Sequence, residues 1–267
     1  MSREDRRDAF YETIEYFKQY TREKHDYVIP GPIFYNQEIL DTMLAKKGPP
    51  KRRFEKMEVF VENEDSFNMA KQLLDDKKTT SDKIMVLNMA SAKHAGGGVR
   101  NGARAQEEDL FIRSNYFQHL TPDYYRLKND ELVVSRNIIV VKDDNLNLID
   151  DHYLVNGIAC SALVRPPVVA QKNGIENYKK SEHYDITYKK IYNIFLSSYA
   201  MGMEALVLGA LGCGCFGNPP YAVAHIFLKV IKEFDGCFKH VGFAILSGKH
   251  NNNYDIFKSQ IEDQYNK

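Results

Sequence analysis

The chain has 267 residues, which is long enough to bury a full hydrophobic core in one large domain or two small ones. Hydrophobic residues make up 43% and charged residues 27%, as in an ordinary globular protein. Lys plus Arg and Asp plus Glu both number 36, which excludes a global positive field that attracts nucleic acid of any sequence. An anionic ligand must therefore be held by local backbone donors.

The length of the apolar runs and the number of cysteines indicate where in the cell the protein is expected. No apolar run approaches the roughly 20 residues that span a bilayer, and residues 1–10 lack the apolar region of a signal peptide. We therefore expect no membrane partner and an intracellular, cytoplasmic location, or a nuclear one in a eukaryote or virus. The four cysteines, which include Cys213 and Cys215, do not resemble a secreted disulfide framework, so reduced thiols are expected.

The N-terminal third alternates helical patterns with short apolar runs. Apolar residues at helical spacing predict helices over 4–24, 37–46 and the segment after 65, where Asp65 or Ser66 caps the helix. Residues 28–35 contain two prolines and a glycine and are predicted to form a loop. Strands are predicted over 56–61 and over 84–87, the second wholly apolar, as in a strand buried on both faces.

The same alternation continues to the C-terminus. Residues 133–134 and 138–141 predict a strand or a hairpin, and residues 155–162, 205–208 and 241–246 predict further strands. Helices are predicted over 186–201, from Pro219 or Pro220 to 234, and over 254–261. Strands alternating with helices predict an α/β fold with helices on both faces of a sheet, and we find no repeat or linker.

A glycine triplet, Gly96-Gly97-Gly98, follows the strand at 84–87. Without β-carbons, its N–H groups can approach a large polar group, for which a phosphate is the best candidate. Seven residues later, Gln106-Glu107-Glu108 precede an amphipathic segment whose apolar residues Leu110, Phe111 and Phe117 suit one helical face. Carboxylates are therefore expected to face the glycine loop, where they could cleave a bond close to a bound phosphate.

A second glycine loop follows the strand at 205–208 and precedes a helix. It consists of Gly212, Cys213, Gly214, Cys215, Phe216, Gly217 and Asn218. A single such loop is more often a plain turn, but two loops at the carboxyl ends of strands favour a ligand and could hold one diphosphate between them. Neither loop fits a P-loop or dinucleotide-binding motif. Phe216 could lie over a ribose or base, or fill the core beneath the loop, and both interpretations stay open.

The side chains of the adjacent residues Glu107 and Glu108 are expected to point in different directions. On a helix, Glu107 and Glu108 point about 100° apart, so only one can serve a reacting atom. Alternatively, neither glutamate is catalytic, and both belong to the first turn of a surface helix, where the helix dipole favours acidic residues. Asn88 could bind a ribose hydroxyl or tie down the loop. Cys213 and Cys215 lack a metal-binding partner at familiar spacing, so no metal is expected and both are interpreted as small loop residues.

Several motifs in order resemble the microbial branch of the poly(ADP-ribose) glycohydrolases. They are the glycine triplet, the spacer and QEE within GARAQEEDLFIRS, then Tyr124-Tyr125, LVLGALGCGCFGNPP and HVGFAILSG, and the resemblance covers residues 84–248. It implies a macrodomain-like three-layer α/β/α sandwich with a mixed central sheet. It also implies an N-terminal helical extension, residues 1–50, ahead of a catalytic domain, residues 51–267. His94-Ala95 and Arg104 depart from the family's usual residues, which puts loop geometry and substrate preference in question.

The resemblance further implies a substrate and residue roles. The substrate is the terminal ADP-ribose unit of poly(ADP-ribose) or of an ADP-ribosylated protein, released as ADP-ribose by a monomer that needs no cofactor. Glu108 is implied as the general acid and base, Glu107 as a ligand of ribose hydroxyls, and Gln106 as their support. The residues implied to bind substrate are Asn88, Gly96, Gly97, Gly98, Gly212, Cys213, Gly214, Cys215, Phe216, Gly217 and Asn218, with 63–65 near the adenine. The alternatives are an ADP-ribose reader, which the intact QEE disfavours, and a hydrolase of mono-ADP-ribosylated protein or nucleobase.

Overall fold

One mixed sheet of seven strands forms the middle layer of the computed structural model, which describes residues 1–24, 28–171, 174–248 and 251–267. Its strands are β1 (Ile33–Tyr35), β2 (Glu58–Glu62), β3 (Ile84–Met89), β4 (Leu132–Lys142), β5 (Leu148–Cys160), β8 (Ala205–Leu208) and β9 (His240–Ala244), while β6 (Val168–Ala170) and β7 (Glu176–Tyr178) pair separately. The order across the main sheet is β1-β4-β5-β3-β8-β9-β2. Strands β5, β3, β8, β9 and β2 run parallel, so their carboxyl ends lie at one edge.

Helices cover both faces of this sheet, as predicted. The helices are α1 (Arg3–Glu23), α2 (Gln37–Lys47), α3 (Ser66–Asp75), α4 (Gln106–Arg113), α5 (Tyr116–His119), α6 (Ser181–Ala200), α7 (Pro220–Glu233), α8 (Asn253–Phe257) and α9 (Asp263–Tyr265), with a π-helical turn at Lys258–Glu262. One core contains side chains of α2, α6, α7 and α8, and the other contains side chains of α1, α3, α4 and α5. The expected three-layer α/β/α arrangement is confirmed. In the part of the chain that the structure describes, no helix is long and apolar enough to cross a membrane.

The central strand β3 shows why an apolar run forms a strand here. Met85 and Leu87 lie in the core with α6 and α7, whereas Ile84 and Val86 lie in the opposite core. Successive side chains of a strand point to opposite faces, so a strand covered on both faces must be apolar at every position. The strand ends at Met89, and the chain turns there into the glycine triplet.

Local capping follows the predicted chemistry. Asp65 is the N-cap of α3, and its side chain accepts the N–H groups of Phe67 and Asn68. Pro220 is the first residue of α7, where a missing N–H costs nothing. Both predictions of helix starts are therefore confirmed.

Two predicted elements differ from the structure, and a third resolves to one of its two alternatives. Residues 33–35, predicted as loop, form the edge strand β1 and pair antiparallel with β4, so the expected helical extension also supplies a strand. Residues 132–142 form one strand rather than a hairpin, with a bulge near Asn137, whose φ is +57°, and β5 is the hairpin partner. Phe117 lies in α5, because α4 ends at Arg113. Strand pairing joins segments that are far apart in the chain, so the pairing of β1 with β4 could not be predicted from a short window of sequence.

Helix α1 packs on the segment that joins the glycine triplet to Gln106. The Arg6 guanidinium donates to the carbonyl of Ala103 at 3.1 Å and pairs with Asp109 at 2.9 Å. Thr13 donates its hydroxyl to the carbonyl of Ile112 at 2.6 Å. At Gly102 a β-carbon would lie 1.8 Å from the carbonyl oxygen of Arg3, so only glycine fits. The first helix therefore buttresses the start of α4.

Candidate active site

Four loops meet at the carboxyl edge of the sheet. Three of them follow strands, and the fourth lies between α5 and β4. Residues 90–105 follow β3, residues 161–167 follow β5, and residues 209–219 follow β8. Residues 120–131, between α5 and β4, approach from the side, since the N–H of Leu127 donates to the carbonyl of Ala92 at 3.2 Å. Helix α4 begins at this edge with Gln106, Glu107 and Glu108. Ligands of open α/β sheets collect at such an edge.

Glu107 is the more firmly held of the two carboxylates. Its Oε2 accepts the N–H of Ser91 at 2.7 Å, and its Oε1 accepts the N–H of Gly96 at 3.1 Å and the hydroxyl of Tyr125 at 3.1 Å. The side chain is only 3% exposed. Burial, and to a lesser degree the neighbouring carboxylate of Glu108, raise the pKa of Glu107 to about 7 despite the backbone hydrogen bonds that oppose this rise.

Glu108 differs from Glu107 in its hydrogen bonds. Its Oε1 accepts the N–H of Gly98 at 2.8 Å. Its Oε2 makes no hydrogen bond to any residue within the described ranges, and the residue is 7% exposed. One oxygen is thus fixed by the backbone and the other is available to a ligand. That is the geometry expected of a group that exchanges a proton with a substrate.

The glycine triplet faces these carboxylates, as the sequence predicts, but its donors are used differently. The N–H groups of Gly96 and Gly98 donate to Glu107 and Glu108, and the N–H of Gly97 donates to the carbonyl of His94 at 3.0 Å. All three donors are engaged within the protein, so the expectation that they bind a phosphate is not met. Carboxylates satisfy the same donors because they too are anionic acceptors.

Glycine is required at two positions of the triplet. Gly96 has φ +72°, and a β-carbon there would lie 2.5 Å from the ring of Phe111. Gly97 has φ +55°, and its β-carbon would lie 2.5 Å from Oε1 of Glu108. Both the left-handed backbone and the close approach therefore exclude side chains. The triplet thus packs closely against the carboxylates and holds them through the N–H groups of Gly96 and Gly98.

Gln106 anchors the start of α4 to the sheet. Its side-chain oxygen accepts the N–H of Met89 at 2.9 Å, and its amide nitrogen donates to the carbonyl of Leu87 and to the hydroxyl of Ser66 at 3.1 Å. The expected support of the carboxylates is thus indirect, through the backbone of the helix. Gln106 also lines the cleft beside the second glycine loop.

Asn88 is completely buried behind the carboxylates. Its amide nitrogen lies 3.5 Å from Oε1 of Glu107, and the side chain has no exposed surface. A ribose hydroxyl cannot reach it in this arrangement, so the implied substrate contact of Asn88 is not supported. Its contact is with Glu107 rather than with the glycine loop, so the interpretation that it ties down the loop is not supported either.

The second glycine loop is closed by Asn218. The Asn218 amide nitrogen donates to the carbonyls of Leu163 at 2.7 Å and Gly212 at 3.1 Å, and its oxygen accepts the hydroxyl of Tyr178 at 2.8 Å. The residue is 3% exposed, so it shapes the loop rather than contacting a ligand. Gly212, with φ +75°, has no room for a β-carbon, which would lie 2.5 Å from the side chains of Ala162 and Asn218.

The tip of this loop offers free donors. Within the described ranges, the N–H groups of Gly214, Cys215 and Phe216 have no hydrogen-bond partner, while the N–H of Gly217 donates to the carbonyl of Gly214 at 2.9 Å. Consecutive free N–H groups form a concave anion site. The same residues line a cleft, together with Met89, Ala105, Gln106, Ala162 and Gly212. Neither this cleft nor a larger cavity along the outer edge of β2 is lined by Glu107 or Glu108, but the cleft adjoins them through Ala105 and Gln106.

The cysteines and polar residues outside the cleft have structural surroundings. Burial raises the pKa of the Cys213 thiol well above its usual value, whereas Cys215 is exposed. The side-chain oxygen of Asn63 accepts the N–H of Ser247 at 2.8 Å, Glu64 accepts a hydrogen bond from the amide of Asn68 at 3.1 Å, and Asp65 caps α3, so all three residues implied near the adenine are engaged within the protein. Among the residues that the structure describes, no group of three or more His, Cys, Asp or Glu side chains could hold a metal ion.

Tyr125 is a site residue that the sequence does not single out. In the sequence it only forms part of the Tyr124-Tyr125 motif, but in the structure its hydroxyl donates to Glu107. Burial raises the pKa of Tyr125 far above its usual value, so the phenol stays protonated and remains a donor. Glu107 and Tyr125 are 18 residues apart and lie on different elements, so the period of a single helix or strand does not relate them.

The mixed sheet and the paired, buried carboxylates beside two glycine loops define an enzyme of the macrodomain-like glycohydrolase class. Comparison with known families agrees. Residues 7–142, just over half of the chain, match the model of the microbial-type PARG catalytic domain. The chain belongs to this family of poly(ADP-ribose) glycohydrolases.

Solved structures support the same relationship. The chain is similar to the poly(ADP-ribose) glycohydrolase of Thermomonospora curvata, with a TM-score of 0.78 and 25% identity over 97% of this chain and 100% of that chain. The structure of that protein bound to the inhibitor ADP-HPD gives a TM-score of 0.76 at 25% identity with the same coverage. The Deinococcus radiodurans enzyme in complex with ADP-ribose gives 0.72 at 26% identity over 88% of this chain and 95% of that chain. No curated protein has a significantly similar sequence.

Proposed function

We propose that the chain hydrolyses the ribose–ribose O-glycosidic bond of poly(ADP-ribose), with Glu108 as the general acid and then the general base. The observation that carries this assignment is the asymmetry between the two carboxylates. Both oxygens of Glu107 are engaged by protein donors, whereas Oε2 of Glu108 is free to meet a substrate. Because adjacent helical residues point apart, only one of them can reach the reacting oxygen.

In the proposed reaction, protonated Glu108 donates its proton to the glycosidic oxygen of the leaving ribose. The bond between that oxygen and the anomeric carbon breaks, which leaves an oxocarbenium-like centre on the terminal ribose. The resulting carboxylate of Glu108 then accepts a proton from water, whose oxygen attacks the anomeric carbon. The products are ADP-ribose and a polymer one unit shorter, and Glu108 is protonated again. The N–H of Gly98 holds the carboxylate in place throughout.

The bound unit is proposed to place its diphosphate at the tip of the second glycine loop. The free N–H groups of Gly214, Cys215 and Phe216 provide donors there, and the ring of Phe216 lines the cleft where a ribose would lie. The complexes of the related Deinococcus and Thermomonospora enzymes with ADP-ribose and ADP-HPD support this class of ligand. Both oxygens of Glu107 already accept hydrogen bonds from the protein, so its proposed first role is positioning.

The test is Glu108→Gln, which keeps the size of the side chain and removes its ionisable proton. ADP-ribose release from automodified polymerase should fall by about 10²-fold or more, while binding of ADP-ribose measured by calorimetry is retained. The matched control is Glu182→Gln, an exposed glutamate in the first turn of α6, which should leave release unchanged. Full activity in Glu108→Gln would refute the role assigned to Glu108.

A further inference from the structure

Exposed cations occur on three of the four loops that border the cleft, although the chain as a whole is neutral. Residues 90–105, 120–131, 161–167 and 209–219 contain six Lys or Arg residues and three acids, which are Asp123, Asp130 and Glu131. Lys128 pairs with Glu131 at 3.3 Å, and Asp123 accepts a hydrogen bond from the hydroxyl of Thr121. Arg100 is engaged over the ring of Phe10. The other four cations have no acidic partner among the described residues, and all are exposed: Lys93, Arg104, Arg126 and Arg165.

Some cations elsewhere on the surface are paired with acids. Lys71 lies 2.6 Å from Asp75, and Lys239 lies 2.6 Å from Glu204. The bordering loops therefore carry a local excess of positive charge in a chain with 36 residues of each sign. A group of unpaired cations produces a field that falls off over about a Debye length, roughly 10 Å at 0.1 M salt.

Backbone contacts place the four cations around the opening of the site. Arg104 precedes Ala105, which lines the cleft, and the N–H of Arg165 donates to the carbonyl of Phe216 at 2.7 Å. The N–H of Lys93 donates at 3.2 Å to the hydroxyl of Ser91, whose own N–H donates to Glu107.

Arg126 completes the set on the fourth loop. It follows Tyr125, whose hydroxyl donates to Glu107, and precedes Leu127, whose N–H bonds Ala92 next to Lys93. The four residues thus lie on three different loops at the edge of the sheet where the carboxylates are found.

We propose that Lys93, Arg104, Arg126 and Arg165 form a basic rim that binds the phosphates of the polymer units next to the one in the cleft. This inference rests on the proposed function. Poly(ADP-ribose) carries two phosphates in every unit, so a chain leaving the cleft presents regularly repeated anions to the rim. A protein with a single ADP-ribosyl group presents none beyond the bound unit. The rim thus makes the polymer the preferred substrate through added affinity rather than faster chemistry.

The experiment compares two charge-matched variants in the Glu108→Gln background, so that polymer is bound without being cleaved. One replaces the rim with Lys93→Gln, Arg104→Gln, Arg126→Gln and Arg165→Gln. The control removes four exposed cations from α2, α6 and α7 with Lys46→Gln, Lys47→Gln, Lys189→Gln and Lys232→Gln. Circular dichroism and thermal melting establish that both are folded. Binding of long poly(ADP-ribose) and of free ADP-ribose is then measured at salt concentrations from about 50 to about 300 mM, because contacts to phosphates weaken as salt rises.

The rim variant should bind polymer at least about tenfold more weakly than the control at low salt, with ADP-ribose affinity changed by no more than about threefold. The slope of log K against log salt should become shallower by about 3, since each phosphate contact to a single strand contributes about 0.7. Equal polymer affinity or equal slopes in the two variants would overturn the proposal. If the quadruple variant does not fold, Arg104→Gln and Arg165→Gln singly should each weaken polymer binding by about twofold.

Two further outcomes separate the possible failures. Release of ADP-ribose by the Glu108→Gln background would show that the proposed catalytic role is wrong, independently of the rim. Single-stranded DNA with the same number of phosphates should bind the Glu108→Gln protein at least about tenfold more weakly than polymer, because it has no ADP-ribose end for the cleft. Equal binding of DNA would overturn the assignment of the rim to poly(ADP-ribose).

Discussion

The fit between Gly97 and Glu108 leads to a prediction that can be worked out from distances. In Gly97→Ala, the new β-carbon would lie 2.5 Å from Oε1 of Glu108 and 3.1 Å from Oε2 of Glu107. Optimal non-bonded contacts lie at about 3.5 Å, so the Glu108 carboxylate must retreat by about 1 Å. Its hydrogen bond from the N–H of Gly98, 2.8 Å long, would be lost or misdirected.

A displacement of this size should affect catalysis more than stability. A misplacement of about 1 Å at a reacting group can cost about 10²-fold in rate, which corresponds to about 2.7 kcal/mol in activation free energy. The backbone of Gly97 has φ +55°, and placing alanine there lowers the free energy of unfolding by roughly 1–2 kcal/mol. We therefore expect a folded protein whose kcat on poly(ADP-ribose) falls about 10²-fold, measured as the initial rate of ADP-ribose release.

Gly202→Ala is the matched control for the backbone effect. Gly202 has φ +77° at the end of α6, and its nearest neighbour to a new β-carbon is Nζ of Lys83 at 3.9 Å. It should lose a similar free energy of unfolding in urea denaturation and keep its kcat. Near wild-type kcat in Gly97→Ala would refute the argument that the triplet fixes the catalytic carboxylate. So would an equal loss of kcat in Gly202→Ala.

The remaining predictions concern the protonation of Glu107. In Tyr125→Phe, the Glu107 carboxylate loses a hydrogen bond that lowers its pKa. The ionisation near pH 7 in the pH profile of kcat/KM should therefore move to higher pH. An unmoved profile would contradict the assigned role of Tyr125. For stability, the pKa of Glu107 is raised on folding from about 4.5 to about 7, so the folded state retains a proton that the unfolded state releases between these values. The resulting stability is complete below pH 4.5 and is lost as pH rises through 7, by about 3 kcal/mol in total. In urea denaturation Glu107→Gln should therefore gain stability relative to the wild type across this window, and a difference that does not change with pH would show that the pKa of Glu107 is not raised.

The sequence alone determined the order of most helices and strands and the pairing of a glycine loop with acidic residues. These features are local. The period of apolar residues separates strand 84–87 from the helices around it, and Pro220 fixes the start of α7 by removing one N–H. Nine residues separate Gly98 from Glu108, so the segment between them brings the two together once a helix follows. The motifs that mark the family lie in the same stretch and could be read directly.

The tertiary structure alone decided how each polar group is used. Whether the N–H groups of the triplet face a phosphate or a carboxylate, and which carboxylate keeps a free oxygen, depends on donors from Ser91 and Tyr125, which reach Glu107 from two loops at the edge of the sheet. The burial of Asn88 likewise follows from its place on the central strand β3. The physical reason is that periodicity and turn chemistry act over a few residues, whereas hydrogen-bond partners, burial and pKa values are set by strand order, which brings together residues far apart in the chain.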